Sequence, residues 1–151
     1  MKNESNIYIG IVVSKFNTMI TEALLSGAKK AFVDEYGDFN KKLKIFYVPG
    51  AFEIPGTIKK MLNSKNKFDA IIALGSVIKG ETPHFEYIAS ESARGVAQLS
   101  ISSNIPIIYG IITTDNMKQA LDRVKKDDSN KGWQAMKAGI EMISTYHEID
   151  K

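Results

Sequence analysis

Apolar residues along this chain fall into two alternating patterns. Short, β-branched runs at Ile7 to Val13, Leu43 to Val48, Ala70 to Leu74 and Ile107 to Ile112 predict buried strands covered on both faces. Between them, apolar positions recur every three or four residues, the spacing of one helix face. The first such helix is capped by Asn17 or Thr18, carries Leu24, Leu25, Ala28 and Phe32, and stops at Gly37. A short helix follows Pro55 with Ile58, Met61 and Leu62. Phe85, Ile88, Ser92, Val96 and Leu99 share the face of a third helix. Met117, Leu121 and Val124 follow a cap at Asp115 or Asn116, and Trp133, Met136, Ile140, Ile143 and Tyr146 mark the last helix. Polar breaks fall at Asp38 to Lys42, Ser64 to Lys67 and Lys125 to Gly132.

Strands alternating with helices imply right-handed crossovers and a parallel sheet with helices on both faces. The expectation is one domain over 1–151, a four-stranded three-layer α/β/α sandwich. Ligands of such sheets bind outside the carboxyl ends of the strands. Four loops converge there, with Phe16-Asn17, Ala51-Phe52-Glu53, Ser76 to His84 and Thr113-Thr114. The third is the most informative. Its strand is expected to break at Gly75-Ser76 and loop through Val77, Ile78, Lys79 and Gly80. Thr82 then serves as side-chain cap, and Pro83 takes the first helical position. A glycine-bearing loop before a helix start points backbone N–H groups at an anion such as phosphate. His84 lies in the first helical turn beside that site, placed to accept and return a proton.

Composition narrows the chemistry without choosing it. The chain has 151 residues, 44% apolar and 25% charged, ordinary for a globular protein. A net charge of +3 spread over scattered lysine doublets gives no nucleic-acid stripe. There is no cysteine, so disulfides and thiolate metal sites are excluded, and the two histidines, His84 and His147, make no metal cluster. Met1 to Asn6 is polar, and no run approaches the ~20 apolar residues of a membrane span. No membrane or nucleic-acid partner is expected, and the expected location is the cytoplasm.

Five motifs in register then carry a resemblance. Lys15-Phe16-Asn17, Val48 to Pro55, Gly75 to Phe85, Gly110 to Thr114 and Asn130-Lys131-Gly132 together resemble the lumazine synthase family, in order from about Ile7 to Ile143. The resemblance implies a flavodoxin-like fold and a transferase of riboflavin biosynthesis. A ribityl-aminouracil would condense with 3,4-dihydroxy-2-butanone 4-phosphate, without metal or cofactor. By the same resemblance Phe16 stacks on the pyrimidine with Asn17 beside it, and Ala51, Phe52 and Glu53 hold the ribityl chain. Ser76, Val77 and Ile78 line the ring pocket, while Gly80, Glu81, Thr82 and Arg123 take the phosphate. His84 carries protons, and Tyr109 and Lys131 complete the site. Tyr109, Arg123 and Lys131 would come from a neighbouring subunit of a homo-oligomer built from pentamers, with riboflavin synthase as a partner if a shell forms.

Three departures accompany the likeness. Lys125 to Ser129 replaces a glycine-rich run, Tyr109 stands where Phe is common, and the N-terminal arm is short. Taken one by one, the same residues have plainer readings. His84 would be a surface histidine, Phe16 a core aromatic, Glu53 a helix-start carboxylate and Arg123 part of a solvated face. Two other functions fit parts of the pattern: a flavin- or lumazine-binding protein without turnover, and a flavodoxin-like signalling domain. The first need not keep His84, Arg123 and Lys131 together; the second has no use for Gly50 to Glu53 beside Asn130 to Gly132.

Overall fold

The computed structural model describes residues 6–37 and 43–151. Strand β1 (Ile9–Ser14) leads into helix α1 (Thr18–Tyr36), then β2 (Leu43–Val48), a single 3-10 turn (Ala51–Glu53) and α2 (Ile54–Leu62). After these come β3 (Ala70–Ile78), α3 (His84–Ser102), β4 (Ile107–Thr114), α4 (Met117–Asp122) and α5 (Lys131–Ile149). All strand pairs are parallel, in the order β2-β1-β3-β4. That is the flavodoxin-like order, and strand order reverses between β1 and β3. The expected polar loop at Asp38 to Lys42 and the expected N-terminal arm up to residue 5 lie outside the described residues.

Two apolar layers hold the sheet, as the strand-helix alternation requires. On one face Ile9, Ile11, Val13, Ile72 and Leu74 pack with Leu24, Leu25 and Phe32 of α1 and Met136 and Ile143 of α5. On the other, Val12, Ile71 and Ala73 meet Ile54, Ile58 and Met61 of α2 and Val96 of α3. Side chains alternate across each strand, so the two buried sets interleave along one sequence.

The structure corrects several boundaries. β3 runs through Gly75-Ser76 to Ile78, and β4 reaches Thr114, because Gly75, Ser76, Val77 and Ile78 pair with Ile111, Ile112, Thr113 and Thr114. Gly75 is there for close approach, since a Cβ would lie 3.0 Å from Ser14 Oγ. Helix α3 starts at His84 with Pro83 at the N-cap and no capping side chain, so Thr82 lies one position outside. Asn116 does cap α4, accepting from the Gln119 N–H. α5 begins inside the expected break, at Lys131.

Candidate active site

The loop after β1 is tied to the loop after β2. The Lys15 N–H donates to Val48 O at 2.8 Å and the Phe16 N–H to Pro49 O at 3.1 Å. Asn17 follows with φ 61° and ψ 52°, the one non-glycine residue with positive φ among the described residues. Asn is one of the few side chains that tolerates this conformation. Asn17 is expected to cap α1, but its Nδ2 instead donates to Ser76 O at 3.0 Å, because the left-handed turn aims the carboxamide at β3. Thr18 does not cap either; its hydroxyl donates to Lys15 O. The result is a loop braced against both neighbouring strand ends, with the Phe16 ring left 71% exposed.

After β2 the chain turns through Gly50. One carboxylate oxygen of Glu53 accepts from the Gly50 N–H at 3.1 Å, closing the turn that starts the 3-10 segment. Ala51 is buried beneath it, while Phe52 and Glu53 face outward. β3 brings up Ser76 and Val77, both buried, and Ile78, half-buried. The Ser76 hydroxyl has no protein hydrogen-bond partner. Beyond it the Lys79 N–H continues the ladder to Thr114 O at 2.9 Å. Gly80, Glu81 and Thr82 then form an exposed turn, with His84 exposed at the head of α3.

These loops enclose a groove of about 490 Å³ at the point where strand order reverses. Of the expected site residues, Phe16, Asn17, Ala51, Phe52, Glu53, Ser76, Val77, Ile78 and His84 line it. Pro49, Gly50, Phe85 and Ile88 line it as well, and the sequence reading did not assign them to the site. For Ile88 a signal was present: it is four residues after His84, hence on the same side of the helix. Gly80, Glu81 and Thr82 lie beyond the lining, on the exposed turn that leads to His84.

Tyr109, Arg123 and Lys131 do not line this groove. Tyr109 is on β4 opposite Ala73 and is 40% exposed. Arg123 ends α4, and its carbonyl accepts from the Lys131 N–H at 2.9 Å, so the two backbones meet. Their side chains reach Gln119 O and Gln134 Oε1 respectively.

The groove thus offers an aromatic face, a carboxylate with one oxygen uncommitted to Gly50, an imidazole and apolar walls. That set suits a flat polar ring carrying hydroxyls. No cluster of three or more His, Asp or Glu that could hold a metal is present among the described residues. Nor is any described helix long and apolar enough to cross a membrane. A second crevice, about 610 Å³, lies at the opposite end of the sheet between the ends of α2 and α3, lined by Lys59, Lys67, Phe68 and Leu99 among others. Helix carboxyl ends carry negative partial charge, which a last-turn lysine such as Lys59 offsets.

Residues 6–147 match the profile of 6,7-dimethyl-8-ribityllumazine synthase. A protein of that name from Campylobacter jejuni subsp. jejuni (strain 81-176) is 44% identical over 146 residues, covering 97% of this chain and 94% of the relative. The strain RM1221 protein matches equally, and that of Campylobacter jejuni subsp. doylei is 43% identical over the same span. With profile and relatives in register over nearly its whole length, the chain belongs to the 6,7-dimethyl-8-ribityllumazine synthase family.

Proposed function

We propose that the protein condenses 5-amino-6-ribitylaminouracil with 3,4-dihydroxy-2-butanone 4-phosphate to 6,7-dimethyl-8-ribityllumazine, a transferase step of riboflavin biosynthesis. The observation that carries this reading is the groove itself. An exposed aromatic, Phe16, a carboxylate, Glu53, and an imidazole, His84, share one cleft at the switch point. Phe16 stacks on the pyrimidine. Glu53 accepts from ribityl hydroxyls, beside Ala51 and Phe52, and Asn17, Ser76, Val77 and Ile78 form the ring pocket. The turn at Gly80, Glu81 and Thr82 receives the phosphate.

The uracil's free amine attacks the ketone carbon to give a carbinolamine, which loses water to an imine. Proton removal next to that carbon expels phosphate, and the ribityl-bearing amine closes the ring as a second water leaves. Each step moves protons, and His84 is the group within the groove suited to shuttle them. Much of the acceleration comes from holding two substrates in a reactive geometry.

The phosphate requires a fixed cation, which Arg123 supplies, while Lys131 serves the ribityl-aminouracil; both lie outside the chain's own groove. We read them, with Tyr109, as donated to the groove of an adjacent subunit in a pentameric ring in the cytoplasm. Two experiments test the whole. Purified protein with both substrates should develop lumazine fluorescence; binding of ribityl-lumazine without turnover would reduce the protein to a carrier. Mixing an inactive Phe16 variant with an inactive Arg123 variant should restore activity once subunits exchange. No recovery despite demonstrated exchange would place the site within one chain.

A further inference from the structure

Asn130 is 3% exposed and caps α5, and every hydrogen-bonding position of its carboxamide is used. Oδ1 accepts from the N–H groups of Gly132 at 2.8 Å and Trp133 at 3.0 Å. Nδ2 donates to Lys125 O at 3.1 Å and to Ala23 O at 3.2 Å. A carboxamide has two donor hydrogens and two strong acceptor positions, so these four bonds saturate it. Capping needs only the oxygen. The amide nitrogen is spent elsewhere, binding the segment after Arg123 on one side and helix α1 on the other.

The surrounding backbone is shaped to receive this side chain. At Gly27, a Cβ would come within 2.1 Å of Asn130 Oδ1; at Gly132, one would come within 1.9 Å of Leu24 O. α1 and the start of α5 therefore meet almost backbone to backbone, and Asn130 is clamped in the notch. Lys131 follows it directly, and the Lys131 N–H holds Arg123 O at 2.9 Å. α1 begins at Thr18, immediately after the Phe16-Asn17 turn. The Phe16 turn thus leads straight into the helix that holds the Asn130 anchor, seven to eleven residues further along.

We infer that Asn130 is a positioning residue: its carboxamide locks the Arg123 segment to α1, setting where Arg123 is presented to the phosphate in the neighbouring subunit's groove. The inference rests on the proposed phosphate role of Arg123. In a ring whose subunits each lend Arg123 and Lys131 to a neighbour, the same clamp joins the aromatic end of one site to the cationic end of the next.

Asn130→Asp separates this role from capping. Asp keeps the acceptor oxygen, and its charge suits a helix N-terminus, so α5 is retained. It loses both Nδ2 donors and sets a carboxylate against the Lys125 and Ala23 carbonyls. In the assembled protein, kcat/KM for the butanone phosphate should fall about tenfold to a hundredfold, the scale of a displacement of ~1 Å in a positioning group. Binding of a non-reactive ribityl-pyrimidine analogue should fall by clearly less, since Phe16 and Glu53 are untouched and only the adjoining Lys131 is disturbed. Gly27→Ala, made on α1 far from Arg123 in sequence, should reproduce this split by pushing on Oδ1. Amide hydrogen exchange over residues 123–131 should quicken in Asn130→Asp while that of β1 and β3 does not.

Arg123→Ala is run alongside. If it raises the KM for the phosphate substrate and Asn130→Asp does not, the inference is overturned. Equal loss for both substrates in Asn130→Asp overturns it too, showing general destabilisation. If Arg123→Ala itself has no effect, the phosphate assignment fails instead. The exchange data then decide whether the clamp exists: unchanged protection of 123–131 in Asn130→Asp rejects it.

Discussion

Phe16→Ala is the substitution whose consequences the structure separates best. The ring is 71% exposed, so under a third of its surface is covered by the fold. Taking roughly 200 Å² for a phenylalanine side chain, about 60 Å² is lost from burial, worth about 1.5 kcal/mol at ~25 cal/mol/Å². The backbone bond from the Phe16 N–H to Pro49 O and the Asn17 brace to Ser76 O do not involve the ring and survive. Unfolding should therefore shift by no more than about 3–6 °C for a chain of this size. Stacking of a flat base on an aromatic is worth ~1–3 kcal/mol, so affinity for a ribityl-pyrimidine analogue should fall by about five- to 150-fold. The KM for the butanone phosphate should hardly move. Calorimetric titration of the analogue, thermal unfolding and steady-state kinetics on one preparation measure all three quantities. Phe16→Tyr and Phe16→Trp should keep most of the affinity. The reasoning is refuted if these lose as much as alanine, or if alanine weakens both substrates equally, because the ring would then be packing rather than stacking.

Two further outcomes rest on His84 and Asp127. His84 is exposed at the head of α3, so His84→Ala should leave folding and analogue binding intact. Turnover should fall roughly ten- to a thousandfold because substrate positioning persists, and turnover near the parent's would assign His84 a structural part. The Asp127 carboxylate accepts from the Ser129 hydroxyl and N–H, which hold it below its ordinary value of 3.8. A carboxyl depressed on folding adds stability above its unfolded pKa and loses it as pH falls through the folded one. Asp127→Asn should therefore lower the unfolding temperature at neutral pH, and the gap should close as pH drops below about 4. A gap independent of pH would show that the charge plays no part.

Much of this architecture is written locally. The four apolar runs, the helical spacing between them, the stop at Gly37 and the Asn116 cap each depend on residues a few positions apart, which is why they are legible in the chain itself. The site's location is legible too. Parallel strands joined by helices put all their carboxyl ends on one edge, so Phe16, Glu53 and His84 converge whatever the packing details.

What local pattern does not contain is what lies across the sheet or between helices. Gly75 reads as a breaker along the chain, yet with β1 and β4 on either side it is a strand residue chosen for lack of a Cβ. Asn17 reads as a cap, yet the Ser76 carbonyl, 59 residues away, claims its side chain. Asn130 sits in what looks like a polar break, and only the arrival of Ala23 and Gly27 from α1 makes it a saturated clamp. Short-range spacing dictates which elements form, because hydrogen bonding and amphipathic burial are read within a turn or a strand. Which polar groups meet inside depends on contacts that exist only once the layers have closed, and there the tertiary structure alone decided.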